Sequence, residues 1–184
     1  MFYKIVEFFF CRGYRKFNEK NVGEWIQKYK KESEELPIYT KEVISHYCKE
    51  DHPQINTYLR EGKELNENQL MYMESLDKAL SNKIGENLVV YRNLKGNPFI
   101  NKLAFTEKGY MSTSLLDGSI SAIHNGKYML KILLPSSCQG FYVDFISQRT
   151  GEYELLLKRN IKLKKLAYIN QKNRILILCK VECN

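Results

Sequence analysis

Ile84-Gly85-Glu86-Asn87-Leu88-Val89-Val90-Tyr91-Arg92 is the stretch at which the chain changes character. Leu88 to Tyr91 is an unbroken apolar, β-rich run of strand length, entered through a glycine and left through an arginine. Upstream of it, apolar residues recur at helical spacing. Trp25, Ile26 and Tyr29 share one helical face, and Val43, Ile44 and Tyr47 another. Ile55, Tyr58 and Leu59 follow, then a longer stripe of Leu70, Met73, Leu76 and Leu80. Leu36-Pro37 separates the first two helices, because proline keeps its predecessor out of the helical region. Asp51-His52-Pro53 reads as a new helix start with Asp51 as its cap, and Gly62 as that helix's end. Downstream the pattern is strand-like: Tyr128–Leu134 closed by Pro135, then Phe141–Val143, Tyr153–Leu157, Lys162–Ile169 and Arg174–Val181. Asn170 to Asn173 joins the last two as a hairpin turn. Helices first and strands later give an α+β fold, not a parallel α/β sheet. The expected organisation is one domain over residues 1–184, with an extension at 1–20, a mainly helical part at 21–85 and a mainly β part at 86–184.

The chain is long enough for one domain with a sizeable core, at 184 residues and 43% hydrophobic composition. Its 29 Lys and Arg against 21 Asp and Glu leave a net charge of +8. That balance suits an anionic ligand or partner without choosing among phosphate cofactors, nucleic acid, acidic proteins and lipid. Cys11, Cys48, Cys138, Cys179 and Cys183 are scattered and show no C-x-x-C, so neither a zinc site nor a disulfide framework is expected. Cys179 and Cys183 read as small apolar residues near the end of a last strand. No apolar run reaches the length of a membrane span. The apolar start, Ile5 to Phe10, is short, is broken by Glu7 and lacks a small-residue cleavage site, so it is not read as a signal peptide.

Three features of the strand-rich half carry chemistry. Gly151-Glu152-Tyr153-Glu154 runs into three leucines. On a strand, residues two apart share a face, so Glu152 and Glu154 are expected to project together with Tyr153 opposite. Two adjacent carboxylates repel unless positive charge lies between them, and breaking a glycosidic bond creates such a charge on the sugar carbon. One carboxylate then stabilises that charge and the other orients a nucleophile. Taken alone, two acids on a solvated strand edge are far commoner. Tyr91-Arg92 ends a strand with a guanidinium able to fork onto phosphate, though a lone arginine is more often a salt-bridge partner. Ser112-Thr113-Ser114 offers hydroxyls for a carboxylate or a ribose, or simply for a turn.

The order of these features is more specific than any one of them. Tyr91-Arg92, then Phe105 leading to Gly109-Tyr110 and Ser112-Thr113-Ser114, then Gly151-Glu152-Tyr153-Glu154, resembles the Arg–Ser–Glu class of bacterial mono-ADP-ribosyltransferase toxins. The binary actin-modifying toxins and the clostridial Rho-modifying exoenzymes are the nearest in look. Ile55 to Arg60, Leu76 to Leu80 and Gly140 to Ser147 share the likeness.

The resemblance implies helices packed on a mixed or antiparallel β-sandwich core. It implies NAD as co-substrate, no metal, and the following roles. Arg92 holds NAD phosphate, Ser112 braces the catalytic glutamate and the nicotinamide ribose, and Glu154 is that glutamate. Glu152 sets the acceptor: glutamate there goes with arginine, whereas glutamine goes with the asparagine of Rho proteins. Tyr47 and Asn56 match positions that contact NAD and Phe105 is expected near the nicotinamide pocket, while each of the three reads equally as a core residue. Three positions depart from the pattern: Asn93 where a second arginine often follows, Lys127 where an arginine faces the phosphates, and Arg149 where an aromatic target-recognition residue often stands. The implied partner is a protein bearing the modified arginine, with actin or a small GTPase as candidates. A secreted protein acting in the cytosol of a target cell, with a separate delivery component, completes the expectation. The rival readings are an NAD glycohydrolase without a protein acceptor and, further off, a basic nucleic-acid-binding module.

Overall fold

The computed structural model describes residues 2–118, 126–147, 149, 151–171 and 173–182, with side chains in the first helix described at residue 5 and from residue 7 onward. Cys183 therefore lies outside the described residues, as does Lys172 in the expected hairpin turn. The helical half comprises α1 (Phe2–Cys11), α2 (Val22–Glu35), α3 (Ile38–His46), α4 (His52–Glu61) and α5 (Glu67–Ala79). The strands are β1 (Leu88–Leu94), β2 (Ala104–Glu107), β3 (Met111–Ser114), β4 (Tyr128–Leu134), β5 (Gly140–Tyr142), β6 (Glu154–Leu157), β7 (Ile161–Asn170) and β8 (Ile175–Glu182). A four-residue helix, α6 (Asp144–Ser147), links β5 to β6. Helices precede strands, and the α+β class stands.

The helical periodicity works as the sequence predicts in α2, where Val22, Trp25, Tyr29 and Ser33 form the buried stripe. In α5, Met73 and Leu76 are buried and Leu80 follows them inward, but Leu70 is 47% exposed. Its entry is an unanticipated capping box, in which Asn66 and Gln69 satisfy each other's backbone N–H groups. Leu36 takes an extended conformation before Pro37 and separates α2 from α3. The expected start holds in position, with α4 beginning at His52 and Pro53 in its first turn, but the expected cap is corrected. Asp51 makes no side-chain cap, and α3 continues into α4 through a π-helical turn at Tyr47–Asp51. There the His52 N–H reaches back five residues to the Tyr47 carbonyl. Proline is tolerated near a helix start because its missing N–H is needed only deeper inside, and the wide turn serves Pro53 in the same way. Gly62, left-handed at φ 69°, ends α4 as expected.

The strands form one hydrogen-bonded sheet in the order β2-β7-β8-β4-β1-β3-β6-β5, antiparallel except where β4 runs parallel to β8. The ladder is wide between β1 and β4, with seven registered pairs from Leu88↔Leu134 to Leu94↔Tyr128. Between β1 and β3 it narrows to Tyr91↔Ser114. Two leaves meet at that pair, five strands on one side and β3-β6-β5 on the other. The main core lies between the sheet and helices α2 to α5, and draws on Trp25, Ile44, Leu76, Leu88, Val90, Phe141 and Leu155–Leu157. On the opposite face of β1, Val89 and Tyr91 join Met129, Leu133, Leu176 and Leu178 in a second cluster, against which Cys11 and Tyr14 pack. Cys48 and Cys179 are buried thiols, as their apolar surroundings require.

Candidate active site

The narrow point of the sheet sets out the site. Tyr91 opposes Ser114 on β3, and Ser114 opposes Glu154 on β6, so the ends of β3 and β6 meet the middle of β1, which runs on past Arg92 to Leu94 and does not end there as the sequence suggests. Arg92, Ser112, Glu152, Glu154 and Arg149 line one cavity there, with Tyr47 and Asn56 on its helical wall. Ser112-Thr113-Ser114 lies on β3, not in a turn. The Thr113 hydroxyl donates to the Leu155 carbonyl at 2.7 Å, and that of Ser114 to the Glu152 carbonyl at 2.8 Å.

Glu152 and Glu154 share the cavity for a different reason from the one the alternation predicts. The strand begins only at Glu154, and Tyr153 is left-handed at φ 50°. A non-glycine residue there costs roughly 1–3 kcal/mol and persists only when its surroundings impose it. Here the buried Asp144 carboxylate imposes it. Its two oxygens accept the Tyr153 and Glu154 N–H groups, both at 2.8 Å, and the Tyr142 hydroxyl at 3.1 Å. The Leu115 N–H donates to the Tyr153 carbonyl and the Val143 N–H to that of Glu154.

Glu154 is 6% exposed. Burial pushes its carboxyl up to about 7, and the nearby Glu152 and Asp144 add to the push. A hydrogen bond from Ser112 opposes it. Its Oε2 is buried and has no hydrogen-bond partner among the described residues. A buried acceptor left without a donor carries a desolvation cost, and a ligand hydroxyl or a positive centre would remove it. Arg92 donates to the Ser112 carbonyl at 3.2 Å and lines a second cavity as well, shared with Arg60, Lys95, Phe105 and Glu107. In this second cavity the buried Glu107 holds the Arg60 guanidinium by two bonds of 2.8 and 3.0 Å, accepts the Gly109 N–H at 3.0 Å, and lies 4.0 Å from Arg92. The cationic wall is thus braced by a buried carboxylate within the same lining, and its two guanidiniums and Lys95 fit a diphosphate. Among the described residues no cluster of three or more metal-binding side chains occurs.

A sequence profile of the ADP-ribosyltransferase exoenzymes matches residues 22–181. The chain belongs to the ADP-ribosyltransferase exoenzyme family. Solved structures agree. Plx2a, an ADP-ribosyltransferase toxin from Paenibacillus larvae, is 26% identical, with a TM-score of 0.76 over 91% of this chain and 98% of that one. C3larvin, an ADP-ribosyltransferase toxin from the same organism, is 30% identical, with a TM-score of 0.67 over 85% and 94%. C3stau2 from S. aureus, solved with NAD, shares the fold at 22% identity and a TM-score of 0.80 over 93% and 99%. No curated protein matches by sequence. The chain is therefore a mono-ADP-ribosyltransferase of the bacterial toxin type, with NAD as its co-substrate.

Within this transferase the remaining sequence candidates fall in different places. Tyr47 and Asn56 are buried and already engaged. The Asn56 amide donates to the Tyr47 hydroxyl at 2.8 Å and brackets Tyr110, donating to its carbonyl and accepting its N–H. They shape the wall, and the Asn56 amide faces the Gly109-Tyr110 backbone. Phe105 lies in the second cavity, against Phe99, and not beside the carboxylates. Lys127 is exposed and lines neither cavity. Arg149 turns inward, its guanidinium toward the Lys49 carbonyl at 3.4 Å, where it lines the cavity with the glutamates. Arg60, Glu107 and Asp144 were not among the candidates, and Ser114 stood only as the last member of the Ser112-Thr113-Ser114 triplet. Glu107, a lone acid in an otherwise strand-like stretch before Gly109, and Asp144, an acid directly after Phe141–Val143, are the signals that mark two of them.

Proposed function

We propose that the protein transfers ADP-ribose from NAD to an arginine of a target protein. The observation that supports this most is the pairing of two unlike carboxylates in one cavity, Glu154 buried with an unmatched oxygen and Glu152 nearer the mouth at intermediate exposure. In this reading Arg92 takes the NAD diphosphate, with Arg60 beside it. Ser112 holds Glu154 against the nicotinamide ribose. As the bond to nicotinamide breaks, positive charge grows on the ribose carbon, and the Glu154 carboxylate stabilises it. A fixed carboxylate in a low-dielectric setting does this without reorganising at the moment of reaction. Glu152 pairs with the incoming guanidinium, the fork geometry that aims one nitrogen at the carbon. Arg149, against the same cavity, favours a target arginine set in acidic surroundings. Secretion and action in the cytosol of a target cell, on a partner such as actin or a small GTPase, belong to the same proposal.

Incubation with labelled NAD and cell lysate tests it. Label on protein that survives in the presence of excess free ADP-ribose, and that maps to arginine, is the expected result. Glu154→Gln is expected to lose both transfer and NAD hydrolysis, and Glu152→Gln to lose transfer while keeping hydrolysis. Release of free ADP-ribose with no labelled protein would instead make the chain an NAD glycohydrolase. Label on asparagine would overturn the role given to Glu152.

A further inference from the structure

The face of the sheet opposite the active site carries α1, and α1 is mounted with its apolar side outward. Ile5, Phe8 and Phe9 are 49%, 69% and 72% exposed. With Arg12, also exposed, they follow the spacing i, i+3, i+4, i+7, which is one face of a helix. The opposite side holds Glu7, whose carboxylate is paired with Lys131 on β4 and with Lys16. Lys131 is 2% exposed, among Leu176 and Leu178. A buried ammonium requires a counter-charge, so the sheet claims Glu7 and thereby turns the phenylalanines to solvent. The chain just past α1 is tied down too: Arg15 bridges β1, its N–H donating to the Asn87 carbonyl and its own carbonyl accepting the Val89 N–H.

We propose that this outward stripe of α1 docks on an anionic lipid bilayer. The surroundings are cationic. Arg12 continues the stripe, Lys16 follows it, and Lys162, Lys164 and Lys180 lie on the same face of the sheet, opposed by Glu182. A second copy docked through α1 would bring these cations against their own equivalents about a two-fold axis, which disfavours self-association. A bilayer of negative headgroups complements them, and it accepts aromatic rings at its interface without needing a shaped groove. Val89 and Tyr91 face α1 whereas Val90 and Arg92 face the other way, so docking leaves the catalytic cavity clear of lipid.

Sedimentation of the full chain with phosphatidylcholine vesicles, with and without phosphatidylserine, tests the proposal. The wild type is expected to bind the phosphatidylserine vesicles, less so at high salt, and to leave the neutral ones. A Phe8→Ser/Phe9→Ser variant is expected to lose roughly tenfold or more of that binding, with an unchanged melting temperature because both rings are exposed. Failure of the wild type to bind, equal binding by the variant, or equal binding to neutral vesicles would each overturn it. So would a wild-type dimer by light scattering that the two substitutions dissociate, which would assign the stripe to a second copy.

Discussion

Glu154→Gln should make the protein more stable as it makes it inactive, and only at pH above the ordinary carboxylate range. The Glu154 carboxyl rises from the ordinary 4.5 to about 7 on folding, chiefly through burial. Between those two pH values the folded chain keeps a proton that the unfolded chain has lost, so stability falls as pH rises through this window and is level above it. Holding a proton tenfold more tightly is worth about 1.36 kcal/mol, so the rise from 4.5 to about 7 places the cost of the ionised carboxylate near 3 kcal/mol. Glutamine keeps the volume and an oxygen for the Ser112 hydroxyl, and never ionises. Urea denaturation of both proteins should therefore give equal stability at pH 4.5, and an advantage to the glutamine variant approaching about 3 kcal/mol at pH 8.5, with the slope against urea unchanged. In the wild type, kcat/KM should rise with pH through about 7 as the carboxylate forms. A glutamine variant no more stable than wild type at pH 8.5 would refute the reasoning, since it would mean that Glu154 ionises in the fold without cost.

Three further outcomes follow from the geometry. Asp144→Asn leaves one of the Tyr153 and Glu154 N–H groups facing an amide nitrogen, so kcat should fall by at least tenfold; it also removes a charge that raises Glu154, so the acid limb of the pH profile should move down. Glu107→Gln loosens Arg60 and removes the carboxylate beside Arg92, so KM for NAD should rise several-fold with kcat little changed, at a stability cost of about 1–3 kcal/mol seen by denaturation. Gly109→Ala would set a Cβ 2.4 Å from the Asn56 side-chain oxygen, and the overpacking should cost about 1–3 kcal/mol in a thermal or urea melt.

Much of this was legible in the sequence, for a physical reason. Arg92 and Glu154 are charged residues within or at the start of short apolar strands, with Glu152 just before the second, and Ser112 sits in a run of three hydroxyls, contrasts that survive without knowing the fold. Their order along the chain carried the rest. What could not be read are the groups whose purpose lies in a distant partner. Asp144 meets Glu154 ten residues on, Ser114 meets Glu152 thirty-eight residues on, and Glu107 meets Arg60 forty-seven residues back. Local pattern also misjudged Tyr153, because alternation presumes an extended backbone and the tertiary bonds of Asp144 override it. Arg149 lines the cavity with its guanidinium toward the Lys49 carbonyl, a placement only the fold reveals, because it sets the π-helical turn across from it.

That turn has a consequence for how the chain tolerates changes of length. Nine residues separate Tyr47 from Asn56, about two and a half turns of an ordinary helix, which would set them on opposite sides. The wide turn takes back about one residue's worth of rotation, and the two side chains meet at 2.8 Å. It acts as a stored insertion. Removing one residue between Cys48 and Asp51 would let the helix close into regular turns with α4 still in phase, whereas adding one would rotate Asn56 off Tyr110 and unseat the wall of the cavity. Single-residue gaps among relatives should therefore fall in this turn, and not in the straight helices on either side of it.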